Sequence, residues 1–127
     1  MTLAQRRSAL VVVANDAEPV VRACRDRHHR VSVERGIPAH LTILFPFLPA
    51  DDLDGEALGT LQRAFAPVLP FAYELARVES FPDAVWLAPE PAEPFLDLIA
   101  KARDTYPELT PYGDPSLEPV PHCTIAA

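Results

Sequence analysis

One short pattern occurs twice in this chain and narrows what it can fold into. The first copy is Pro38-Ala39-His40-Leu41-Thr42-Ile43, the second Pro121-His122-Cys123-Thr124-Ile125. Both keep proline, histidine, any residue, threonine and isoleucine, with one extra residue after the first proline. Two of the four histidines lie in this frame. Along a strand, residues i and i+2 share a face. The pattern therefore predicts two strands, each with a polar front of imidazole and hydroxyl (His40 with Thr42, His122 with Thr124). The apolar back is Leu41 and Ile43 in one strand, Cys123 and Ile125 in the other. Two such strands side by side place two imidazoles and two hydroxyls around one cleft.

At 127 residues the chain reads as a single domain able to bury roughly two thirds of its unfolded surface. A hydrophobic share of 49% with moderate charge is that of a soluble globular protein. No apolar run approaches the ~20 residues of a membrane helix. The run Leu10–Ala14, behind Arg6 and Arg7, is too short for a secretory leader and reads as a strand. A cytoplasmic location is expected. Cys24 and Cys123 have no metal or redox spacing and read as buried thiols. The net charge of −7 argues against a DNA duplex as partner, because neutralising many phosphates needs clustered Lys and Arg.

In chain order, Ser8–Asn15 reads as a buried strand. A helix from about Glu18 to Val33 follows, striped by Val20, Val21 and Cys24, with Arg22, Arg25, Arg27 and His29 largely outside the stripe. Gly36 ends it. The first motif strand covers about 39–47. A second helix covers 53–66, with Leu58, Leu61 and Phe65 on its inner face. Residues 71–79 and 84–88 form a hairpin around the turn Phe81-Pro82-Asp83. A third helix covers 93–105, striped by Phe95, Leu98, Ile99 and Ala102. Residues 107–121, with five prolines, read as a long loop near a site. The second motif strand closes the chain. Helices and strands mix without a βαβ rhythm, so the predicted class is α+β. With only four glycines there is no Gly-rich phosphate loop.

The two His-x-Thr motifs, together with Gly36-Ile37-Pro38-Ala39-His40-Leu41-Thr42-Ile43-Leu44-Phe45-Pro46-Phe47, Val85-Trp86-Leu87 and Val120-Pro121-His122-Cys123-Thr124, resemble the two-histidine (2H) phosphoesterase superfamily, also called the 2′-5′ RNA ligase or LigT-like family. The resemblance runs over essentially the whole chain. It implies a two-lobed α+β fold with antiparallel sheets flanked by helices. It also implies cleavage of a 2′,3′-cyclic or 2′-5′ phosphodiester of a small nucleotide or RNA end, with no metal and no cofactor. Family members usually continue past the second motif with a helix and strands. Here the second lobe is expected to be incomplete, with the second motif strand open to pairing in a homodimer.

The residue types suit that chemistry on their own terms. Attack on phosphorus needs a base to take a proton and an acid to protonate the leaving oxygen. Imidazole can do either near neutral pH. His40 and His122 are the predicted catalytic pair, with no preference as to which is base. Thr42 and Thr124 are the predicted donors to the phosphate oxygens. Tyr112, Phe47 and Trp86 are candidates for stacking a base. His28 and His29 read as solvated, and no carboxylate spacing supports a metal site. The alternative is a catalytically silent nucleotide- or RNA-binding module of the same fold.

Overall fold

Alternation in the first motif gives a strand with buried Leu41 and Ile43 between half-exposed His40 and Thr42. In the computed structural model, which describes residues 8–109 and 118–127, this strand is His40–Leu44 (β2). It pairs with Leu10–Val13 (β1) in a two-stranded sheet. A second sheet of three strands has the order β3-β4-β5, built from Glu74–Phe81, Ala84–Glu90 and Cys123–Ala126, antiparallel throughout. The helices are Glu18–His28 (α1), Arg30–Glu34 (α2), Gly55–Phe65 (α3) and Glu93–Thr105 (α4). The class is α+β, with antiparallel sheets and helices.

The described residues fall into two compact units. Among the described residues, one draws on 8–10, 43–72, 93–109 and 118–119. There α3 packs on α4, and Phe95, Ile99 and Ala102 are buried along the inner face of α4. Phe71 meets Phe95 edge-on at 5.2 Å, and Phe47 meets Tyr106 edge-on at 5.0 Å. Such pairs favour the positive ring edge on the negative ring face. Burial raises the Tyr106 phenol above its ordinary pKa, with Glu108 and Asp54 adding to the rise.

The other unit comprises Val11–Thr42, Tyr73–Ala92 and Val120–Ala127. It contains the three-stranded sheet, α1, α2 and both motif histidines. Helix α1 lies against β5. The Cys24 thiol reaches the Ile125 carbonyl at 3.7 Å, and the Ala127 amide donates to the His28 carbonyl at 2.9 Å. Gly36, at φ 74°, ends α2. The Gly36 amide donates to Val33 and the Ile37 amide to Ser32, each at 3.0 Å, a Schellman closure that needs the left-handed conformation glycine supplies.

Several sequence expectations are corrected here. The helix expected over 18–33 breaks at His29, whose φ of −138° and ψ of 43° are not helical. Val20, assigned to the buried stripe, is 82% exposed, and Leu58 is exposed on α3. β1 is not buried along its length, because Val11 and Val13 stay on its open face. Arg25, placed outside the stripe, is 1% exposed.

Candidate functional site

The second motif takes its setting from the hairpin. Thr124 sits opposite Trp86 in the register, and Cys123 opposite Leu87. Cross-strand neighbours share a face, so Thr124 lies on the Trp86 side and Cys123 on the other. His122, one residue before the strand, packs edge-on against Trp86 at 5.7 Å and Phe81 at 5.2 Å. Phe81 and Trp86 in turn meet at 4.8 Å. These two aromatic rings set the plane of the imidazole. Its Nδ1 lies 2.6 Å from the Val120 carbonyl.

The first motif repeats that bond. His40 Nδ1 lies 2.8 Å from the carbonyl of Pro38, again two residues earlier. A carbonyl only accepts, so in each ring Nδ1 carries the proton and, in the neutral form, Nε2 keeps its lone pair. The alternation holds in the first motif, with His40 and Thr42 half-exposed around buried Leu41, but only in part in the second: Cys123 is fully buried and His122 and Thr124 are half-exposed, yet Ile125, expected on the apolar back, is half-exposed too. The structure places all four motif residues in one compact unit. Interaction with the His40 backbone favours the Cys123 thiolate. Burial nevertheless holds the Cys123 thiol above its ordinary pKa, and the Arg25 charge opposes that rise only in part.

The stacking candidates fare differently. Phe47 is 4% exposed and packed on Tyr106, a core residue of the other unit rather than a stacking platform. Trp86 is 8% exposed and supports His122 instead of offering a face to a base. Tyr112 lies outside the described residues, as does most of the Pro-rich loop. His28 is exposed as expected, but His29 is half-buried. Its Nε2 is 3.1 Å from the Ser32 hydroxyl. Burial lowers its pKa, and the neighbouring charges of Arg25 and His40 lower it further.

Two features carry no plain mark in the sequence. Phe81 reads as a turn residue, yet it ends β3 and borders His122. Buried Arg25 and half-buried Glu18 form an ion pair beneath the first motif at 2.8 Å. The signal for the pair was available: positions 18, 21 and 25 share one helix face, and Val21 between them is buried. An open cavity of about 540 Å³ in the same unit, lined by Val13, Asp16, Val21, Tyr73, Leu75 and Leu87, includes no motif residue. Burial raises the Tyr73 phenol there, with Cys123 and Asp16 contributing. Among the described residues, no group of three or more His, Cys, Asp or Glu side chains is gathered as for a metal ion. No described helix is long and apolar enough to cross a membrane.

The two motif strands are not side by side as expected but belong to different sheets, β2 beside β1 and β5 beside β4; two His-x-Thr motifs in an α+β fold nevertheless define a class of two-histidine proteins. The family model of the 2′-5′ RNA ligase superfamily matches residues 12–127, and the chain belongs to that superfamily. No curated protein and no solved structure matches it.

Proposed function

We propose that this protein is a phosphodiesterase acting on 2′,3′-cyclic or 2′-5′ phosphodiesters of a small nucleotide or RNA end, with His40 and His122 as acid and base. The observation that carries the reading is the matched anchoring of the two rings. Each Nδ1 proton is committed to a carbonyl two residues upstream, which leaves Nε2 as the nitrogen that exchanges protons with substrate. One Nε2 removes a proton from the attacking water as its oxygen bonds to phosphorus. The other, protonated, delivers its proton to the leaving ribose oxygen as that P–O bond breaks. Thr42 and Thr124, on the same strand faces as the histidines, donate hydrogen bonds to the non-bridging oxygens as negative charge builds there.

The test is turnover of a panel of 2′,3′-cyclic nucleotides and 2′-5′ dinucleotides in excess EDTA. The expected result is metal-independent hydrolysis, falling by roughly 10²–10⁴-fold in both His40→Ala and His122→Ala. Equal turnover in the wild type and both variants rejects the assignment of these residues. Wild-type protein that binds the nucleotides without turning them over supports the silent binding module instead.

A further inference from the structure

The segment preceding His40 is held at every backbone polar group from the Ile37 amide to the Ala39 carbonyl. The Ile37 amide donates to Ser32 at 3.0 Å. The Ile37 carbonyl accepts from Arg25 Nη2 at 2.6 Å. Pro38 has no amide proton, and its carbonyl accepts the His40 Nδ1 proton. The Ala39 amide donates to Glu18 Oε2 at 2.5 Å, and its carbonyl accepts from the Ala14 amide at 2.8 Å. Two of these partners are side chains of α1, and they hold each other: Arg25 Nη1 lies 2.8 and 2.9 Å from the two Glu18 oxygens.

A helix needs no buried arginine to pack on a strand. Taking an arginine out of water is costly and is offset only where its hydrogen bonds are well made. Here the pair's two outward bonds go to the peptides on either side of Pro38, the residue whose carbonyl orients the imidazole. Charge-assisted bonds of this kind are short and directional. The same helix also holds the second motif strand, through Cys24 to Ile125 and His28 to Ala127.

The geometry points to Glu18 and Arg25 as positioning residues for His40: they fix the Pro38 carbonyl and so hold the ring in its Nδ1–H form with Nε2 available. Neither touches substrate. The inference rests on the two-histidine reading for its catalytic meaning, but its structural content can be measured without turnover.

The experiment is imidazole ¹⁵N–¹H correlation spectroscopy on the full chain, paired with steady-state kinetics, for the wild type, Glu18→Gln and Arg25→Lys. Glutamine is isosteric but cannot accept from Arg25 through two charged oxygens. Lysine keeps the charge and loses the fork that reaches Glu18 and Ile37 together. The wild type is expected to show His40 in the Nδ1–H tautomer. Both variants are expected to shift it toward Nε2–H while His122 is unchanged, with kcat lowered about 10-fold or more and KM little altered. Circular dichroism identifies any variant that has unfolded, and the wild-type spectrum alone remains decisive: a His40 ring in the Nε2–H form overturns the proposal. So does a His40 signal that stays put in folded variants. A tautomer shift in a protein with no turnover on any substrate keeps the positioning role and removes the phosphodiesterase reading.

Discussion

His29 shows how one residue's environment becomes a pH dependence. Burial, Arg25 and His40 together depress its pKa below the ordinary 6.5. The unfolded chain therefore binds the proton more readily than the folded one. The resulting stability is fully present above the unfolded value and is lost as pH falls through the lower folded value. Denaturant titrations from about pH 8 to about pH 5 should show the wild type losing more stability on acidification than His29→Gln. Equal slopes would mean that the ring is as hydrated in the folded state as in the unfolded. Nothing in the sequence pattern reveals this burial, because adjacent His28 and His29 look alike on a basic helix face. The break at His29 turns one ring inward and leaves the other outside. By contrast, His40 and Thr42 are legible, since the period of two in a strand decides their faces without any knowledge of the rest of the fold.

At the scale of elements, local chemistry predicted well wherever it acts alone. Helix α4 begins and ends where its stripe of Phe95, Ile99 and Ala102 and its flanking prolines put it. Helix α3 starts at Asp54, whose carboxylate accepts from the Ala57 amide at 2.9 Å and meets one of the unpaired amides of the first turn. Asp54→Ala should cost about 1 kcal/mol and lower Tm by about 4 °C. Turnover should not change, because Asp54 lies in the unit without the motif histidines; differential scanning calorimetry beside an activity assay checks both. Local chemistry failed where tertiary partners decide. Val20 and Leu58 have the spacing of core residues, but among the described residues they stay exposed. Arg25 has the look of a surface residue, yet it is buried because Glu18 and the Ile37 carbonyl take its protons. Phe81 reads as turn punctuation beside Pro82 and Asp83, and only its closeness to His122 gives it a role.

For the whole molecule, the division into two units cuts across the sequence. The unit with the motifs is assembled from three separate stretches, and its third strand comes from the final stretch alone. The single tryptophan of the chain belongs to this unit and packs on His122. Trp86 is therefore an internal reporter of that one assembly. A chain ending at Pro119 loses β5 and both of its bonds to α1. Its tryptophan emission should shift to longer wavelength than in the intact protein, as water reaches the indole. Emission that stays where it was would show that the hairpin and α1 close over the ring without β5.

The bond from Cys24 to Ile125 joins residues 101 positions apart. A ribosome adds about 5–20 residues per second, so α1 is made roughly 5–20 s before the strand that covers it. Throughout that interval the side of the helix bearing Cys24 is without the strand it rests on in the folded protein. That period is set by the topology and not by the stability of the finished fold, and slowing translation lengthens it. The order in which the strands are written into the sequence is, in this sense, a timetable for when the helix meets its strand.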